Sequence, residues 1–305
     1  MADLRPERFA DDILAAPVAL AGPAPGLESI QALVGRAERV LFLGMGSSRF
    51  AALDAAALLR AHGVDAAAEM ASTGSPQPPS ADTLVFAISA TGGSEETVAA
   101  MRRHLGTSMV AGVTSVPGSA VGSETDACLQ IAGDGPSGVA CASYRSTVAL
   151  LREACGLIVP AAAPPARWRE RAAGAIAELI DGRGEWLPRT VEQLGGGAVH
   201  VLGPAERLGA AEQSALMLRE VPRVSAYACE TGDWSHVDVY LTKRPGYRAL
   251  LLPGSAYEAE VREWQAERGF TIVTADVPGE ADIRPLVETL VAELLAAELW
   301  AANPI

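Results

Sequence analysis

Two short stretches place hydroxyl groups where an anion could be held. Ser89-Ala90-Thr91-Gly92-Gly93-Ser94 sets three hydroxyls around two glycines, between the apolar run "TLVFAI" and the helical stretch "EETVAAMRRH". Gly46-Ser47-Ser48 follows "RVLFLGM" and opens "RFAALDAAALLRAHG" in the same way. Hydroxyl donors, N–H groups freed by a glycine turn and the positive end of a helix dipole together make a phosphate site. The same residues also describe an ordinary helix start, with Ser94 as the N-cap and Glu96 and Thr97 in the first turn.

The elements that must carry these loops alternate between short apolar runs and Ala-rich helices. "RVLFLG", "TLVFAIS", "SMVAGVT" and "DACLQIA" read as buried parallel strands. They predict an α/β fold of doubly wound parallel sheets in a flavodoxin-like three-layer arrangement. The second half then retraces the first. "AVHVLGPAERLGAAEQSALMLRE" matches "RVLFLGMGSSRFAALDAAALLR", "YRALLLPGSAYEAEVREW" matches "TLVFAISATGGSEETVAAM", and "FTIVTADVPG" matches "SMVAGVTSVPG".

Two tandem domains follow from the repeat. The expected organisation is an N-terminal helical arm over 1–27, a first domain over 28–160, a linker over 161–184 and a second domain over 185–305. The linker holds a helix from Arg167 to about Ile180. Where the first copy has its hydroxyls, the second has Pro204-Ala205 and Pro253-Gly254-Ser255-Ala256-Tyr257. That asymmetry predicts one anion site per chain, in the N-terminal half.

Composition narrows the chemistry. A net charge of −13 argues against a nucleic-acid partner, which needs clustered Lys and Arg. No apolar run approaches the roughly 18 residues of a membrane helix. Cys128, Cys141, Cys155 and Cys229 show no CxxC spacing, and the acidic N-terminus does not read as a secretory signal, so a cytoplasmic location is expected. His62, His104, His200 and His236 have no metal-ligand spacing, and His62 and His104 fall at helix ends, where positive charge is favourable. There is no Gly-x-Ser-x-Gly elbow, and "GMGSS" is too short for a dinucleotide fingerprint. Neither metal nor cofactor is expected. Lys243 is the only lysine, so amine chemistry must use it or nothing.

"GMGSS", "SATGGSEET", "VPGSAVGSETD" and "GVACASYRS", with "ALMLREVPRVSAYACETGDWSH" in the second half, resemble the double-SIS (sugar isomerase) family. The layout is similar to the isomerase part of glucosamine-6-phosphate synthase and to related sugar-phosphate deaminases and deglycases. "FADDILAAPVAL" looks like the family's opening helix. No glutaminase domain is expected before it, so glutamine-driven synthesis is not implied. The family's phosphate loop, Ser-x-Ser-Gly-x-Thr, stands here as Ser89 to Ser94 with each hydroxyl preserved. Its Gly-Thr-Ser turn is Gly46-Ser47-Ser48, with Gly46 beside the sugar. The resemblance further implies Glu220 as the base that moves a proton between C1 and C2, and His236, sixteen positions later, as the ring-opening acid–base. It implies a homodimer in which the partner supplies the histidine.

The departures lie at the sugar end. The lysine one turn before the family's glutamate is Met217, and the family's lysine-bearing tail is replaced by "ELWAANPI". The sugar-lining Val-Ala-Ser-Thr loop reads Val139-Ala140-Cys141-Ala142, and Lys-His-Gly-Pro has become Ser235-His236-Val237-Asp238. The resemblance therefore implies an isomerase, deaminase or deglycase acting on a sugar or amino-sugar 6-phosphate. The alternative is a sugar-phosphate sensor without turnover. Retention of both Glu220 and His236 favours the enzyme.

Overall fold

The computed structural model describes residues 6–22 and 25–303. Residues 1–5, 23 and 24 of the expected arm, and the last two of the chain, lie outside them. The apolar runs form two sheets in which every strand pairing is parallel. The first contains β1 (Arg39–Gly44), β2 (Asp65–Met70), β3 (Thr83–Ile88), β4 (Met109–Thr114) and β5 (Ala127–Gln130), in the order β2-β1-β3-β4-β5. The second contains β6 (Val199–Gly203), β7 (Ala226–Glu230), β8 (Arg248–Leu251) and β9 (Thr271–Thr274), in the order β7-β6-β8-β9. The second order repeats the first four places of the first, as the internal repeat requires. β2 and β7 are the strands the apolar runs did not mark.

β3 and β4 are buried along their whole length. Such continuous burial requires helices on both faces of the sheet. On one face Leu41, Val85 and Val110 form a core with Met101 of the helix Glu95–His104 and with Val121. On the other, one residue out of phase, Phe42 stacks on Phe86 with centroids 5.1 Å apart. Each such side chain contributes roughly 1.5–3 kcal/mol by leaving water.

The chain divides into two compact units. One comprises residues 19–134 and 142–169 and holds the first sheet; the other takes residues up to 18, 135–141 and from 170 on, and holds the second. Within the second unit, Phe9 of the helix Pro6–Leu14 meets Trp300 at 6.3 Å, and the Asp12 carboxylate accepts the Ser137 N–H at 3.0 Å. The helix expected from Arg167 to Ile180 runs Trp168–Asp181. A further helix, Arg183–Leu194, follows it.

Two smaller expectations resolve here. His104 does lie at a helix end, but it is 2 % exposed, bonded to Ser108 Oγ at 3.1 Å and held below the usual histidine range by burial, so it is a neutral core group. None of the four cysteines is in a disulfide; burial pushes Cys155 up to about 12, which makes it inert.

Candidate functional site

The order β2-β1-β3-β4-β5 reverses between β1 and β3, and the crevice outside the carboxyl ends of such strands is where open α/β sheets bind ligands. Both hydroxyl loops leave from these two strand ends. Ser89, 5 % exposed, continues β3 by donating its N–H to Val113 O at 3.0 Å. The chain then turns tightly, with Gly92 N–H on Ser89 O at 2.9 Å. Gly92 sits at φ +67°, and a Cβ there would overlap Ser119. Conformation and space both demand glycine. Gly92→Ala should destabilise the protein by about 2–4 kcal/mol, read by urea unfolding; a loss under about 0.5 kcal/mol would show that the turn tolerates a side chain.

Ser94 caps the helix Glu95–His104: its Oγ accepts the Thr97 N–H at 3.5 Å and donates to Glu96 at 2.9 Å. The capping role open to Ser94 is thus real. Ser94 N–H leans on Ser89 Oγ at 3.4 Å and Gly93 N–H on Thr91 Oγ1 at 3.5 Å, both long contacts that a stronger acceptor would displace. Thr91 is exposed.

The loop after β1 is built differently. Met45 is extended and Gly46 has φ +49°, after which the helix Gly46–Ala61 begins. Gly44 lets strand and helix approach closely, because a Cβ would lie 3.0 Å from Arg49 N. Ser47 and Ser48 are half-buried, and their hydroxyls make no hydrogen bond among the described residues. Sequence reading passed over Arg49, next in the chain. It is half-buried, makes no hydrogen bond or ion pair among the described residues, and its Nε is shielded from water. A guanidinium in the first turn of this helix with no partner among the described residues is a further anion-seeking group, and its place next to Ser48 in the sequence was the available signal.

The remaining candidates belong to the second unit. Val139 and Cys141 are each 1 % exposed. Gln213 Nε2 donates to Ala140 O at 2.9 Å, and the Cys141 sulfur lies 3.6 Å from that of Met217. The two departures from the family pattern are therefore in contact: positions expected to carry a hydroxyl and an ammonium are filled by two sulfurs packed together. Glu220 ends the helix Leu208–Glu220 and is half-buried. His236 follows the short helix Thr231–Trp234, is exposed, and its imidazole has no partner among the described residues. Trp234 anchors that segment, fully buried, with Nε1 donating to Tyr247 Oη at 2.8 Å. Lys243 is exposed, its ammonium 5.7 Å from the centre of the Tyr240 ring.

The corresponding loops of the second sheet are closed by their own side chains. Arg207, after β6, donates to the Pro253 carbonyl after β8 and to Glu288 at 3.0 Å. Arg284 donates to the same carbonyl at 3.2 Å. Arg207 is thus engaged by groups of its own unit, while Arg284 Nε is buried without a hydrogen-bond partner among the described residues. Among the described residues no group of His, Cys, Asp and Glu could hold a metal ion, and no helix is long and apolar enough to cross a membrane.

Residues 34–154 match the family model of the SIS domain, which covers the first half of the expected repeat and not the second. No curated protein sequence matches the chain. Among solved structures, the chain is similar to the C-terminal domain of glucosamine-fructose-6-phosphate aminotransferase from Francisella tularensis, with a TM-score of 0.79, 17% identity and 96% of each chain covered. It is also similar to tagatose-6-phosphate ketose/aldose isomerase from Escherichia coli, with a TM-score of 0.76, 16% identity and 97% and 93% of this and that chain covered. A third likeness is to glucosamine-6-phosphate deaminase from Thermotoga maritima, at 0.73 and 18% identity, covering 97% and 95%. At these identities the likeness is one of fold.

Proposed function

We propose that this protein binds the phosphate of a sugar or amino-sugar 6-phosphate at Ser47, Ser48, Ser89, Thr91 and Ser94, and that it acts on the sugar as an aldose–ketose isomerase, deaminase or deglycase. The observation that carries the reading is the pair of hydroxyl loops at the carboxyl ends of β1 and β3, inside the stretch that matches the SIS domain. The names of the similar structures, each a hexose or amino-hexose 6-phosphate enzyme, support the substrate class.

In this reading Glu220 is the base. Its carboxylate takes the proton from the carbon next to the carbonyl, and the C–H electrons form the C1–C2 double bond as the carbonyl π pair moves to its oxygen, which takes a proton from water. On collapse of this enediol the neighbouring hydroxyl gives a proton to water while Glu220 returns its proton to the other carbon. His236 opens the ring by giving a proton to the ring oxygen while the anomeric hydroxyl loses one. Val139, Cys141 and Gly46 line the sugar. In this reading the exposed His236 is supplied to the site by a second copy of the chain, as the resemblance implies.

A second reading, a sensor that binds without turnover, is favoured by the Cys141–Met217 contact, which leaves the sugar side without the family's ammonium. Proton exchange separates the two. Incubated in D₂O with hexose 6-phosphates, an enzyme exchanges the C1 or C2 hydrogen for deuterium even when no net product forms. Ligand binding without any exchange would establish the sensor.

A further inference from the structure

An opening of about 730 Å³ lies wholly within the unit of the second sheet, and its size suits a small molecule. Its wall includes His200 of β6, Tyr227 of β7, Glu212 at the start of the helix Leu208–Glu220, and Glu230, Asp233 and Asp238 from the segment after β7. Among the described residues no arginine or lysine lines it.

His200 organises the chemistry. It is 7 % exposed, its ring stacks on Tyr247 with centroids 4.3 Å apart, and Nδ1 lies 3.3 Å from Asp238 Oδ2. Burial, outweighing Asp238, keeps the imidazole below its usual range and hence neutral at pH 7. A neutral imidazole has one proton, and Asp238 accepts it from Nδ1, so Nε2 carries the lone pair. Nε2 has no partner among the described residues, and His200 forms part of the cavity wall. The carboxylates of Glu212 and Asp233 likewise have no hydrogen-bond or ion-pair partner among the described residues.

The acids named on this wall and Nε2 of His200 therefore accept hydrogen bonds, and the wall's net charge is negative. The field is felt by Cys229, which burial first, and then Asp238, Asp233 and Glu230, push up to about 12. Tyr227, 53 % exposed, offers a ring to a cation. The acids do not converge as metal ligands do. The charge to be matched is spread out.

We infer that this cavity binds an organic cation of the alkylammonium or guanidinium class, with Nε2 of His200 and the Glu212 and Asp233 carboxylates accepting its N–H groups. The inference does not depend on the phosphate loops after β1 and β3, although Asp233 and Asp238 of its wall flank His236 in the chain.

Isothermal titration of the intact protein with 1,4-diaminobutane tests it. Glu212→Gln/Asp233→Asn alters two accessible side chains without loss of volume and should weaken binding by about tenfold or more, because charge-assisted bonds are lost. Glu263→Gln/Glu267→Gln, which removes the same charge from an exposed helix face, should change it less than about twofold. In ¹⁵N spectra of the histidine rings, the Nε2 signal of His200 should move on saturation. Equal weakening in both variants, a stationary His200 signal, or no heat in the wild type would each overturn the proposal. So would equal competition by magnesium ion, which would indicate a site for bare charge.

Discussion

Glu220→Gln should slow the exchange of the C1 or C2 hydrogen of a sugar phosphate with D₂O by about 10²–10⁴-fold while leaving its affinity within about threefold, the range by which a positioned base accelerates proton transfer. The amide keeps the size of the carboxylate and its acceptor oxygen but cannot take the proton. Glu220 is half-buried at the last turn of its helix, so a variant whose Tm shows that it is folded isolates the lost base. His236→Asn should behave differently. Its defect should be large for the cyclic sugar and small for a substrate that is already open-chain, since the imidazole is needed only to open the ring. Unchanged exchange in Glu220→Gln would remove the carboxylate from the mechanism; loss of affinity and exchange together would make it a binding group.

Arg207→Met should destabilise the fold by about 3–5 kcal/mol at pH 8, the cost of leaving a buried charge without its partner. Glu288 is fully buried, accepts from Arg207 Nε at 3.0 and 3.3 Å, and Arg207 also donates to Pro253 O. Burial pushes the Glu288 carboxyl up to about 7, against the pull of Arg207 and Arg284. A carboxyl raised on folding favours the native state at low pH: its contribution is fully present below about 4.5 and is lost as pH rises through about 7. Removing Arg207 raises it further. The deficit of the variant should therefore shrink by about 1 kcal/mol between pH 8 and pH 5, because at pH 5 the native carboxyl is protonated with or without Arg207. Adding Glu288→Gln should restore most of the loss at pH 8 and flatten the slope. Urea midpoints across this range read the effect; a deficit that does not vary with pH would mean that the carbonyl contact, not the ion pair, holds these loops.

The frame of the fold could be read because burial leaves a plain mark on the chain. β3 and β4 are buried on both faces, so "TLVFAI" and "MVAGVT" are apolar without alternation. The repeat in the chain paired β6, β8 and β9 with β1, β3 and β4, and the order β7-β6-β8-β9 places them as β2-β1-β3-β4 places theirs. β2, "DAAAEM", escaped because an edge strand of alanines has neither bulk nor β-branching to mark it. Pro188, which usually signals a break, hid the helix Arg183–Leu194.

The hydroxyl loops were legible for a related reason: short polar residues immediately after a buried strand can only lie at its end. What surrounds them was not. Gly92 answers to Ser119, Cys141 to Met217 and Arg207 to Glu288, contacts between residues far apart in the chain. His200 looked unremarkable in "AVHVLG", and only Asp238, across the fold, turns it into a wall group with an open nitrogen.

The most direct measurement is a thermal-shift titration of wild type and Ser89→Ala/Thr91→Ala with hexose and amino-hexose 6-phosphates, their unphosphorylated sugars and inorganic phosphate. A ligand at a hundred times its Kd stabilises the native state by about 2.7 kcal/mol, which should raise the wild-type Tm by several degrees. The expected result is such a rise with a sugar 6-phosphate, none with the bare sugar, and none in a variant whose own Tm shows that it is folded. An equal rise in the variant, or no rise with any sugar phosphate, would contradict the phosphate cradle and leave Ser94 as the cap of its helix.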